Sequence, residues 1–252
     1  MNPGRLLSVI ISEMSFNLRK YIPNTITCFN LMSGVTACVL SFSYDRPVYV
    51  FEAYQWAFIF IGLAAVFDFL DGAAARLLHA YSDMGKELDS LADLVSFGLA
   101  PALLLYNTMI SYNGGFFTWW ALVPMYIVVM GALRLARFNV DTTQSTTFRG
   151  LPIPSNAIFW IGFVAWIQTH TYPGNVAVAV IVAIFASLMV SRMRMFSLKF
   201  KNFDWRENFR RYLILVAAVL FVATEGVSGF MWTILLYILV SAVGRKDFDA
   251  EA

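Results

Sequence analysis

The chain comprises 252 residues, 59% of them hydrophobic, 16% aromatic and 13% charged, an apolar content beyond what the core of a water-soluble domain requires. This balance excludes a soluble globular protein and indicates an integral membrane protein. The formal net charge of +2 gives no support for a nucleic-acid partner.

Residues 1–22 contain Arg5 and the run LLSVII, which is followed by Glu13 and is too short for a secretory signal. Leu6, Val9, Ile10 and Phe16 suit an interfacial helix lying along the membrane surface. A membrane-crossing helix needs about 20 mostly apolar residues. Eight such runs follow, near 24–43, 53–78, 88–107, 117–138, 155–170, 175–193, 211–225 and 228–243. They predict an all-α, polytopic transmembrane helix bundle of about eight spans in a single membrane domain. It divides into a six-helix core over 23–193, a basic connector over 194–210, and two extra helices with a tail over 211–252. Cys28 and Cys38 share the first run, ten residues apart, and read as small packing residues rather than a disulfide or metal pair.

Short cytoplasmic loops concentrate Lys and Arg. With the N-terminus inside, 17 of the 18 basic residues fall on the cytoplasmic side and only Arg46 lies outside. Both termini are therefore expected in the cytoplasm, and the protein in the cytoplasmic membrane.

Against this apolar background the stretch DFLDGAAARLLHAYSDMGKELDSLADLVSFG is unusual. Residues three or four apart share a helix face, so Asp68 and Asp71 project together from the second run, as do Asp89 and Asp93 from the third. A tight hairpin would set the two pairs face to face, with Gly85 supplying φ > 0 or a close contact at the turn. Four carboxylates in a partly dry site repel unless cations neutralise them. Oxygen-only ligands suit Mg²⁺ or Mn²⁺, and two such ions would form a clamp for displacement at phosphorus. The small residues Gly72, Ala73, Ala74 and Ala75 leave room for a bulky ligand, and Arg76 is placed to meet a phosphate. Asp83 and Glu87 flank the turn as solvated residues, His79 has no ligand-spaced partner, and His170 and Glu225 lie on the outer side; none is assigned a function.

The pattern D-x-x-D-G-x-x-A-R, eight residues, then G-x-x-x-D-x-x-x-D resembles the signature of the CDP-alcohol phosphotransferase family. It is carried by Asp68, Asp71, Gly72, Ala75, Arg76, Gly85, Asp89 and Asp93. The resemblance covers roughly residues 20–190. It implies attack by an alcohol on the β-phosphorus of a CDP-linked substrate, release of CMP, two divalent cations and a homodimer. It further implies that Asp68, Asp71, Asp89 and Asp93 are metal ligands, that Asp93 also takes the alcohol proton, and that Gly72, Ala75, Arg76 and Gly85 hold the CDP group.

Three further segments bear on the acceptor. PNTITCFNLMSG resembles the first-helix opening of phosphatidylserine synthases through Pro23, Asn24, Thr27, Asn30 and Gly34. Asn24 and Thr27 are thereby assigned to CDP, and Asn30 to the acceptor or lipid phosphate. RLARFNV places Arg134 and Arg137 where a planar guanidinium could grip a phosphate or carboxylate, although snorkelling to the interface also accounts for such arginines. FRGLPIPSNA, with Pro152, resembles F-x-G-L-P-x-P-x-x-A of the same synthases and forms a stiff pocket mouth. The resemblance thus implies CDP-diacylglycerol and L-serine as substrates. Glycerol 3-phosphate, an inositol compound or choline are the alternative acceptors, and a cation transporter is the competing class. A transport path should cross the membrane, whereas these carboxylates cluster at one end.

Overall fold

A computed structural model describes residues 3–140, 148–196 and 204–243. The chain is mostly helical. Its longer elements are α1 (Pro3–Ser41), α2 (Ala53–Leu77), α3 (Asp83–Asp93), α4 (Ala100–Tyr112), α5 (Met125–Val140), α6 (Ile153–Thr169), α7 (Asn175–Val190), α8 (Trp205–Glu225) and α9 (Gly229–Val243). A π-helical segment, Leu94–Leu99, joins α3 to α4, and a 3₁₀ turn, Trp119–Leu122, precedes α5. Two short antiparallel ladders complete the set: β1 (Pro47–Val48) with β2 (Phe51–Glu52), and β3 (Phe148–Arg149) with β4 (Arg194–Met195).

Each of the eight apolar runs is helical, but the expectation of eight spans is not met by length and composition. Among the described residues, four stretches are long and apolar enough to cross a membrane: Ala53–Leu77, Asp83–Tyr112, Trp119–Val140 and Asn208–Val243. At 17 and 16 residues, α6 and α7 fall short of the roughly 20 residues that a 30 Å hydrocarbon layer demands. Helix α1 runs through Pro23 without a break. The side chains of Leu6, Val9, Ile10 and Phe16 lie outside the described residues, as do residues 197–203 of the basic connector.

Burial explains the arrangement. Helix α6 buries Phe159, Trp160, Ile161, Phe163, Val164 and Ile167, a helix apolar all round and placed at the centre of its neighbours. Helices α4, α7 and α9 pack against it. By contrast α1, α2 and α8 leave large apolar side chains exposed, among them Phe29, Met32, Val66, Phe69, Val216 and Val219, as expected of surfaces that face lipid tails. Helices α8 and α9 form a hairpin that turns at Gly226, where φ is +61°.

The end of the bundle away from the aspartates is tied by uncharged groups. Thr108 Oγ1 donates to Tyr44 Oη at 2.9 Å, and Gln168 Nε2 donates to the same oxygen. Asn113 and Asn175 exchange side-chain hydrogen bonds of 3.0 and 3.1 Å. Burial holds the Tyr44 hydroxyl well above the usual phenol range; the hydrogen bond from Thr108 acts in the opposite sense but less strongly.

Candidate active site

The acidic stretch folds in an order that hydropathy alone does not reveal. Helix α2 ends with a 6→1 hydrogen bond from Ala80 N–H to Ala75 C=O, 3.0 Å long, and His79 occupies the left-handed region at φ +48°. Such a position is usually a glycine. Ser82 then caps α3, its Oγ accepting from Gly85 N–H at 3.0 Å. Gly85 is therefore inside the first turn of α3 rather than at the bend, and its φ is not positive. What it provides is close approach: a Cβ there would lie 2.9 Å from Asn24 Oδ1 on α1.

The expected tight hairpin is replaced by a three-helix arrangement in which α1 packs against both α2 and α3. Carboxylates facing each other at helix-packing distance would leave no space for counter-ions. Instead a cavity of about 190 Å³ opens between the helices, lined by Asn24, Thr27, Asp71, Gly72, Ala75, Gly85 and Asp89, together with Tyr81, Ser82 and Lys86. Carboxylate oxygens of Asp68, Asp71 and Asp89 all lie within 4.8 Å of one another. Thr27 Oγ1 donates to Asp71 Oδ2 at 2.6 Å, fixing that carboxylate from α1. Asp89 Oδ1 is buried with no hydrogen-bond partner among the described residues. An orphaned buried acceptor is costly, and a hard cation bound by oxygen would satisfy it.

Asp93 stands apart from this trio. It is 9% exposed, within electrostatic range of the other three aspartates, and accepts a 3.4 Å hydrogen bond from Asn30 Nδ2. Asn30 is fully buried, so its visible contact is with Asp93 rather than with an open acceptor pocket. Its backbone carbonyl accepts from Ser96 Oγ at 3.1 Å. Beside it Gly34 meets the π-helical segment so closely that a Cβ would fall 2.7 Å from Ser96 Cα. π-Helical turns recur at functional sites, and this one directly follows Asp93.

Arg76 is exposed at the end of α2, where its Nη1 would lie 3.6 Å from a Cβ on Gly72, so the guanidinium overhangs the glycine. Arg134 and Arg137 line a second cavity of about 560 Å³, with Arg149 and Arg192. Two of these four arginines were not singled out from the sequence: Arg192 closes the last core run just before the basic connector, where charge reads as topology, and Arg149 sits inside a motif noted for its prolines. Arg134 Nε is buried without a hydrogen-bond partner among the described residues, and Asp93 and Tyr237 are its electrostatic neighbours. Arg137 is partly engaged already, with Nη1 donating to Val190 C=O at 3.1 Å at the end of α7. Pro152 is half-buried as the residue before α6. Gly150, at φ +79°, lets the chain pass where a Cβ would lie 2.2 Å from Met189 C=O, so only glycine fits.

Residues 20–190 match the family model described as CDP-alcohol phosphatidyltransferase. Three curated relatives carry the name CDP-diacylglycerol–serine O-phosphatidyltransferase. That of Bacillus subtilis is 37% identical over 174 residues, covering 69% of this chain and 89% of its own. That of Methanocaldococcus jannaschii is 36% identical over 168 residues, 66% of this chain and 72% of its own. That of Helicobacter pylori (strain J99) is 33% identical over 230 residues, 89% of this chain and 92% of its own.

Proposed function

We propose, from the premise that this chain belongs to the CDP-alcohol phosphatidyltransferase family, that it transfers the phosphatidyl group of CDP-diacylglycerol to the hydroxyl of L-serine. The products are phosphatidylserine and CMP. The observation that carries this reading is the gathering of Asp68, Asp71 and Asp89 to within 4.8 Å beside a cavity rimmed by Gly72, Ala75 and Gly85. The names of the relatives supply the acceptor.

The donor set is all carboxylate and includes the orphaned Asp89 Oδ1, which suits two divalent cations, Mg²⁺ or Mn²⁺, held by Asp68, Asp71, Asp89 and Asp93. When bound, such cations offset the charge of the diphosphate and stabilise departing CMP. Gly72, Ala75 and Gly85 admit the cytidine diphosphate near the backbone, Asn24 and Thr27 border it from α1, and Arg76 meets a phosphate from the rim. The serine oxygen bonds to the lipid-side phosphorus as the bond from that phosphorus to the CMP oxygen breaks, and the serine proton passes to Asp93. Asn30 holds Asp93 Oδ1, which leaves Oδ2 for that proton. Arg134, with a buried unpaired Nε, is the group for the serine carboxylate, while Arg137 and the mouth at Pro152 face the lipid phosphate.

The same reading gives eight crossings of the cytoplasmic membrane, with the aspartates and both termini on the cytoplasmic side, and a homodimer. The test is CMP release by purified protein from radiolabelled CDP-diacylglycerol, with serine, glycerol 3-phosphate, an inositol compound and choline compared as acceptors. Serine should be preferred, and chelation should abolish turnover. Preference for another acceptor would refute serine and leave the phosphotransferase chemistry standing, whereas ion flux without CMP release would refute both.

A further inference from the structure

The α8–α9 hairpin lies outside the segment matched by the family model and carries no sequence motif, yet α9 packs against β4, which adjoins the wall of the arginine-lined cavity. Tyr237 of α9 is 2% exposed. Its hydroxyl donates to Phe196 C=O at 2.9 Å, and its ring meets the Phe196 ring edge-on at 5.0 Å. Phe196 directly follows β4, which pairs with β3 through Phe148 with Met195 and Arg149 with Arg194. A second tie runs from Gly150 N–H to Met193 C=O at 2.8 Å. Arg149 and Arg192, which line the cavity, therefore sit on a wall whose far edge Tyr237 fastens. Tyr237 also lies in the electrostatic neighbourhood of Arg134.

We propose that Tyr237 is a positioning residue for the acceptor end of the site, so that the C-terminal hairpin completes the arginine-lined cavity instead of merely adding membrane anchorage. The buried hydroxyls of Thr233 and Ser241 donate one turn back within α9, whereas that of Tyr237 leaves the helix to hold the chain beside β4. The buried Phe196 carbonyl makes the hydroxyl count, because losing one partner of a buried hydrogen bond leaves the other unsatisfied. The inference rests on the proposed reaction for its choice of acceptor.

The test is Tyr237→Phe, which keeps the ring and removes the hydroxyl, assayed for CMP release with serine and CDP-diacylglycerol varied separately. The KM for serine should rise roughly three- to tenfold, the size expected for one hydrogen bond, while kcat and the KM for CDP-diacylglycerol stay within about twofold. Combined with Arg134→Ala, the effects should be less than additive, because both variants loosen the same cavity. Equal losses in kcat and in both KM values, full additivity, or no kinetic change would each overturn the proposal. Should the wild type prefer another acceptor, the proposed function fails, and the same split measured with that acceptor still decides the role of Tyr237.

Discussion

Asp89 and Asp93 lie one helical turn apart on a continuous helical path, yet their surroundings differ: Asp89 has a buried oxygen with no partner and Asp93 is held by Asn30. The pair should therefore separate experimentally. Asp89→Asn is expected to remove turnover and the thermal stabilisation given by Mn²⁺. Asp93→Asn, which removes a metal ligand and the proton acceptor together, should lose a smaller part of that stabilisation and lower kcat on the order of 10²–10⁴-fold, the usual loss for a general base. Calorimetry with Mn²⁺ alone, beside CMP release, checks both, and equal loss of Mn²⁺ stabilisation in the two variants would contradict the division of roles. The carboxylates themselves were legible in the sequence because i, i+3 and i, i+4 spacing is a local rule. The Asn30–Asp93 and Thr27–Asp71 bonds were not: they join residues 63 and 44 positions apart, which only the packing of α1 brings together. From sequence Asn30 is assigned to the acceptor or lipid phosphate; its bonds to Asp93 and Ser96 were not legible there.

At the scale of elements, hydropathy found every long helix but misplaced those that begin with polar turns. Ser82 caps α3, which begins at Asp83, whereas the apolar run begins near 88 because DMGKE offers little hydrophobic signal. Helix α8 likewise starts at Trp205 rather than 211. The π-helical turn after Asp93 could not be read at all, since its residues would suit an α-helix equally well and only the contact with α1 distinguishes them. That contact yields a prediction. Gly34→Ala places a methyl group 2.7 Å from Ser96 Cα, backbone that cannot yield as a flexible side chain could. Overpacking of this kind costs roughly 1–3 kcal/mol. A lower unfolding midpoint and a greater loss of turnover than in Gly62→Ala, where a Cβ meets nothing within 4 Å, are expected; indistinguishable variants would show that the close approach carries no weight.

Taken whole, the molecule gathers its carboxylate cluster and arginine-lined cavity at one end and a hydrogen-bonded clasp around Tyr44 at the other, and the Lys and Arg bias made that polarity legible from the sequence. The number of crossings was less legible, because α6 and α7, at 17 and 16 residues, are shorter than a span requires by length alone. Single cysteines test the orientation. In a Cys28→Ser, Cys38→Ser background, Phe116→Cys should react with an impermeant maleimide on intact cells and Val140→Cys only after the membrane is opened; both native positions are exposed, at 78% and 82%. The reverse pattern would invert the protein. The uncharged clasp around Tyr44 has a different consequence. Because burial raises the pKa of its hydroxyl above the ordinary phenol value of about 10, its contribution to stability is fully present below that pH and is surrendered only as alkalinity climbs toward the folded-state value. On the proposed reaction the two ends should fail under different chemistry: sequestering divalent ions should silence the acidic end while the scaffold stays assembled, whereas strong base should unfasten the opposite end first.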